Sequence, residues 1–217
     1  MRGPGTWAAW LVLVAAPTVG QSVPAPPPAP VVEAPRAAPW SFSAALTGYV
    51  VREDSDYLQP TVSADRGGLH VEARWNYEAL DAGSLWLGWN LEGGEELSWE
   101  LTPKIAGVFG STRGVALGYD GSLAWRRLEL SSEGELVEAG GDDEESFFYS
   151  WSELAVAATD RLRLGLVTQF TRVDGGEQDL QRGLLIGLGF GKLDAAAYWF
   201  DADEGSPTLV LALTIEL

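Results

Sequence analysis

Hydrophobic residues in this chain recur at every second position, in segments of about ten residues, and almost never in long runs. In RLRLGLVTQFTRV (161–173), Leu162, Leu164, Leu166, Thr168 and Phe170 share one parity. Arg161, Arg163, Gly165, Val167, Gln169 and Thr171 hold the other. Period two sends successive side chains to opposite faces of a strand. Residues 68–78 repeat the pattern, with Leu69, Val71, Ala73, Trp75 and Tyr77 opposite His70, Glu72, Arg74, Asn76 and Glu78. The end of the chain sets Leu209, Leu211, Leu213, Ile215 and Leu217 against Val210, Ala212, Thr214 and Glu216.

Extended over the chain, the pattern predicts twelve strands, at 41–52, 57–65, 68–78, 83–91, 96–108, 115–126, 128–138, 146–158, 161–173, 181–190, 192–201 and 207–217. Counts of ten or fourteen are the alternatives. Strands without helices mean a sandwich or a barrel. Pro60 and Pro103 lack the N–H that a ladder needs, so they are expected at bulges or beyond the membrane. In FFYSWSELAV, placing Glu153 inside also places Tyr149 and Trp151 inside, which predicts either an aromatic-lined lumen or a bulge.

The N-terminal region is different. Residues 1–20 carry Arg2, an apolar core from Trp7 to Ala16 and then small residues, the layout of a secretory signal peptide. Cleavage after Gly20 or Ser22 fits the small residues there. Residues 21–39 are rich in Pro and Ala and are read as a stiff, disordered periplasmic linker. The folded domain is expected over 40–217.

A soluble sandwich would alternate in the same way with its apolar face inward. Several features turn that face outward, to lipid. The polar parity mixes Gly and Ala with charges of both signs, which suits a crowded interior whose charges need partners. Aromatic residues gather near strand ends, as two membrane interfaces favour: Trp40, Phe42, Tyr57, Trp75, Tyr77, Trp99, Phe109, Tyr119, Trp125, Phe147, Phe170, Phe190 and Trp199. Odd connections such as REDSD (52–56), AGGDDEES (139–146) and DADEGSP (201–207) are longer and acidic. Even ones such as RR (126–127) and GK (191–192) are short. A closed barrel also leaves no unpaired edge in hydrocarbon. The expected fold is therefore an all-β, transmembrane, up-and-down antiparallel β-barrel of about twelve strands.

These features, with the stretches LTPKIAGVFG, FFYSWSELAV and LRLGLVTQF, resemble a small outer-membrane β-barrel of Gram-negative bacteria. The resemblance covers 40–217 at the level of architecture and picks out no family of known cargo. It implies a location in the bacterial outer membrane, reached by export, with outer-membrane lipids and the barrel-assembly machinery as partners. Leu217 departs from the aromatic residue with which such barrels usually end.

Composition narrows the chemistry. The chain has no Cys, which removes disulfides and thiol sites, and a single His, His70. A formal charge of −17 repels nucleic acid. His70 should sit near the periplasmic end and face the lumen, far from the outer-leaflet lipids that a membrane hydrolase would act on. No enzyme and no cofactor is expected. The DDEE run, Asp142 to Glu145, offers oxygen ligands to divalent cations but lacks the spaced, glycine-turned pattern of a calcium loop. LLIGLGFG (184–191) is read as a strand and tight turn, not a nucleotide loop.

The inward parity supplies the candidate pore-lining residues Glu72, Arg74, Glu100, Lys104, Asp120, Arg126, Glu133, Glu153 and Arg163. Their acidic excess predicts a small passive pore for cations or small polar solutes. A closed structural or surface-contact barrel is the alternative. A soluble exported protein that binds carbohydrate with its ten Trp is a further one.

Overall fold

The structure, a computed structural model, describes residues 38–51, 55–141, 145–176, 178–201 and 207–217. The expected signal peptide and residues 21–37 of the linker lie outside the described residues. So do Arg52, Glu53 and Asp54, the Asp142–Glu144 part of the acidic run, Glu177, and residues 202–206.

Every described element from residue 41 onward is a strand: β1 (Ser41–Val50), β2 (Tyr57–Arg66), β3 (Leu69–Trp75), β4 (Ala82–Trp89), β5 (Leu91–Gly93), β6 (Leu97–Gly110), β7 (Gly114–Trp125), β8 (Leu128–Ala139), β9 (Phe147–Ala157), β10 (Leu162–Val173), β11 (Gln178–Phe190), β12 (Leu193–Phe200) and β13 (Thr208–Glu216). Each pairs antiparallel with its neighbour, and β1 closes on β13, from Ser43 opposite Glu216 to Val50 opposite Leu209. The Leu217 amide extends this seam by donating to Phe42 O at 2.9 Å. β4 and β5 both pair with β6 in one continuous register, with Gly88 opposite Lys104 and Leu91 opposite Leu101. They are one strand interrupted at Asn90. The fold is thus a closed barrel of twelve strands, and each of the twelve expected segments forms one.

Neither proline sits at a bulge, the first of the two places expected for them. The register of β6 on β7 is unbroken through Pro103, which pairs with Tyr119. On its other side the register puts Pro103 opposite Trp89, the last residue of β4, where the β4–β6 ladder lapses. A missing N–H has interrupted a ladder there without shifting its register. Pro60 pairs with Leu46 on β1 and stands one position beyond the last β2–β3 pair, Thr61 with Arg74. On that side the ladder has already ended.

Outward-facing residues form an apolar belt that includes Leu46, Val62, Leu85, Leu117, Leu166, Leu184 and Leu211, each exposed. Aromatic rings border it on both sides. Trp89 and Trp99 lie across Gly68 and Gly93 near the short turns, and Trp75 and Phe109 lie across Gly83 near the opposite end. A ring laid over a glycine refills the contact that the missing side chain leaves open. Tyr57, Tyr77 and Phe147 depart from the expected girdles, because they line the interior. The unbroken β8–β9–β10 register puts Tyr149, Trp151 and Glu153 on one inward face, which settles the aromatic-lined alternative. Ser150 and Ser152 point outward, and Ser152 meets Ser132 at 2.8 Å, with Tyr119 OH 3.0 Å beyond.

Gly110 closes the β4–β6 ladder at φ +112°, and a Cβ there would stand 2.3 Å from Asp81 O. Gly107, on the same strand, has nothing within 4 Å of its Cβ position. Gly110→Ala should therefore cost about 2 kcal/mol in urea unfolding of the detergent-refolded barrel. Gly107→Ala should be neutral or slightly stabilising. Equal midpoints for the two variants would contradict the strain assigned to Gly110.

Candidate functional site

The barrel interior receives the alternate residues of every strand, and it sorts them into charged and apolar sectors. One charged sector spans β3, β6, β7 and β8. Arg74 Nε donates to Glu72 Oε1 at 2.7 Å, and Nη1 donates to Glu135 Oε2 at 3.3 Å. Lys104 Nζ donates to the same Glu72 oxygen at 3.1 Å and to Asp120 Oδ2 at 2.6 Å. The Arg74 guanidinium lies 4.1 Å from the Tyr77 ring centre and 5.1 Å from that of Trp86. Both rings lie within cation–π range of it. Gly118 makes room, since a Cβ there would come within 2.9 Å of the Trp86 ring.

A second charged sector sits across β9–β12. Arg163 donates to Asp194 Oδ1 at 2.8 Å and to Glu153 Oε2 at 3.3 Å. The other oxygen of Glu153 accepts from Trp151 Nε1 at 2.9 Å and from Tyr198 OH at 2.7 Å. Gly187 lets the Arg163 stem cross β11, because a Cβ there would stand 2.4 Å from Arg163 Nε. Nearer the short turns, Asp65 Oδ1 lies 2.8 Å from His70 Nδ1 and accepts from Asn90 Nδ2 at 2.7 Å. Thr102 Oγ1 donates to Asn90 Oδ1 at 2.7 Å. Side chains thus tie together the region where β4 gives way to β5.

Two apolar patches fill the rest of the interior. One holds Tyr49, Val167, Leu185, Tyr198, Phe200 and Val210; the other holds Trp86, Ala106, Val108, Ala116 and Val137. Between them lie two cavities. The turn-side cavity, about 330 Å³, is lined by Glu100, Thr102, Asp120, Glu133, Trp151, Glu153 and Tyr198 among others. The loop-side cavity, about 290 Å³, is lined by Tyr57, Glu78, Phe147, Gln169, Thr171 and Val173. Tyr49, Gln59, Tyr77 and Tyr149 line both.

Of the nine candidate residues, Glu72, Arg74, Lys104, Asp120 and Glu133 come together in the first sector, and Glu153 and Arg163 in the second. Glu100 lines the turn-side cavity from an exposed position. Arg126 is a correction. It occupies the β7–β8 turn at φ 58°, with its guanidinium 4.8 Å from the Trp125 ring centre, because the strand ends one residue before it. Strand parity alone could have added Tyr49, Gln59, Tyr149 and Tyr198. Tyr77 had no such signal: its parity points outward, and only the left-handed turn at Asn76 brings it inside. Tyr77 OH then donates to Glu133. Among the described residues no group of three His, Asp or Glu is placed to hold a metal ion.

No family model matches the chain, and neither does any curated protein. Solved structures do. A KdgM porin superposes with a TM-score of 0.58 at 7% identity, over 80% of this chain and 98% of that one. A KdgM porin in complex with disordered oligogalacturonate gives 0.60 at 7%, with the same coverage. A NanC porin gives 0.55 at 8%, over 80% of this chain and 100% of that one. The shared feature is the fold of an outer-membrane porin barrel.

Arg74 is buried among carboxylates, so removing it strands their charge. Arg74→Met should lower unfolding stability by about 3–5 kcal/mol, and adding Glu135→Gln should restore part of that loss. Additive losses in the double variant would show that the two side chains do not act as a pair.

Proposed function

We propose that the chain is an outer-membrane barrel forming a narrow, passive pore that favours cations. The observation that carries this reading is the charge balance of the interior. Arg74, Lys104 and Arg163 face Glu72, Glu78, Glu100, Asp120, Glu133, Glu135, Glu153 and Asp194. Among the described residues, these three cations against these eight carboxylates leave a negative bore, which attracts cations and repels anions. The apolar belt with aromatic borders supports placement in a membrane. It leaves little room for a soluble sugar-binding protein, whose surplus Trp would need an open polar groove.

The ligand of the KdgM porin complex does not carry over. Oligogalacturonate bears a carboxylate on each sugar, and this interior is acidic. A closed barrel is the second reading. It is favoured by the apolar patches and by the tyrosines common to both cavities, which narrow the interior where a twelve-stranded sheet would otherwise leave space.

The test is the reversal potential of the refolded barrel in a planar bilayer under a potassium chloride gradient, where cation preference is expected. Arg163→Glu changes the bore by two charges, each contributing roughly 0.5 kcal/mol at ~8 Å through water. Potassium gains and chloride loses that energy, so the potassium-to-chloride permeability ratio should rise, by up to about thirtyfold before salt screening. An unchanged ratio, or silence from a barrel shown to be inserted, would favour the closed reading.

A further inference from the structure

We propose that the loop-side cavity binds an organic ammonium ion through N–H donors, a reading that deepens the cation-favouring pore and rests on it. Three residues of the cavity wall carry buried acceptors without partners among the described residues. Glu78 is 8% exposed, and neither of its carboxylate oxygens has a hydrogen-bond partner among the described residues. Gln59 is 7% exposed; its Nε2 donates to Asn76 O at 2.9 Å, and its Oε1 has no such partner. Gln169 Oε1 is in the same state. All three residues line the one cavity.

A buried carboxylate and two buried amide oxygens are left unpaired, which costs free energy that a donor with positive charge would recover. The neighbouring cation cannot supply them, because Arg74 is already spent on Glu72 and Glu135. The remaining walls are aromatic. Tyr49 and Tyr57 stack with ring centres 4.6 Å apart, and Tyr77 meets Tyr149 edge-on at 5.9 Å. Aromatic faces attract cations and accept the alkyl part of an organic one. A sugar would bring as many acceptors as donors. A bare metal ion would need six or so oxygen ligands.

The site is also held in shape. Asn76 at φ 58° and Asp81 at φ 61° turn the chain back between β3 and β4. Asn76 Nδ2 donates to Leu58 O at 3.0 Å, and Asn76 Oδ1 accepts the Asp81 amide at 2.8 Å. Two strands and the turn are thereby locked, with Tyr77 and Glu78 facing inward. A cavity of about 290 Å³ has the volume for a small diammonium ion.

The experiment is isothermal titration of the refolded barrel in detergent with butane-1,4-diammonium chloride, with tetramethylammonium and calcium chlorides for comparison. The proposal expects the diammonium to bind about tenfold or more tighter than tetramethylammonium, which has no N–H. Glu78→Gln should weaken it about 10- to 100-fold, and Gln169→Met should weaken it by a smaller factor. Asp160→Asn, the same loss of charge at the far end of the barrel, should leave it unchanged. Heat-modifiable migration confirms that each variant folds. Equal affinity for the two ammonium ions, tighter binding of calcium, or binding indifferent to Glu78 would each overturn the proposal. A barrel that binds the diammonium in this pattern but shows no cation preference in the bilayer keeps the site and loses the pore. A cation-selective barrel without Glu78-dependent binding loses the site and keeps the pore.

Discussion

Backbone hydrogen bonding governs everything else in this molecule. A sheet whose outer face is Leu, Val and Trp can rest in hydrocarbon only if no N–H or C=O is left unpaired along an edge, and closure of β1 on β13 removes the edges. Once the sheet is closed, the period of two leaves no freedom: every residue is either outside or inside, and one slip would exchange the two sets. The constraint is visible where it is hardest to meet. Pro103 cannot donate to its neighbour, and the ladder lapses between β4 and β5 while the register holds. Nearby, Asn90, Asp65, Thr102 and His70 bond to one another from the inward side. The lone histidine thus belongs to a structural network at the turn end.

Inside, the same closure creates the opposite problem. A twelve-stranded barrel encloses more space than its side chains need, yet too little for charges to be freely hydrated. The chain divides that volume. Apolar side chains such as Val167, Leu185 and Phe200 occupy one flank, while Arg74, Lys104 and Arg163 each hold at least two carboxylates. Sharing one cation between two acids keeps the strands together across the bore. It also leaves the interior with a net negative field. One arrangement therefore stabilises the barrel and sets which ions it would favour.

The fold was legible because membrane insertion makes alternation nearly strict. Leu162, Leu164 and Leu166 against Arg163 and Gly165 says strand, face and partner type at once. Seven of the nine candidate residues lie in the two charged sectors for the same reason. The misses share a different cause. Arg126 has inward parity but sits one residue past the strand, where parity no longer means anything. Tyr57, Tyr77 and Phe147 were read as interface aromatics from their place near strand ends, yet a strand end offers a ring two destinations. Residue type alone would have put Val167 outside with its leucine neighbours; its parity, shared with Arg163 and Gly165, puts it inside, where it is buried.

Tyr77 and Glu78 show how a barrel can escape its own alternation. A strand residue is confined to one face, so adjacent residues cannot both face the bore. The left-handed Asn76 breaks that rule directly after β3, and the next two residues both reach the interior. Left-handed geometry at a non-glycine residue costs energy, and Asn is among the few residues that bear it readily. Here its side chain offsets the cost by bonding Leu58 O and the Asp81 amide. The result is a tyrosine that donates to Glu133 in one charged sector, beside a carboxylate that no protein donor among the described residues satisfies. A site at the narrow part of a β-barrel is thus most economically built from a turn folded back into it, because only there can neighbouring residues act together.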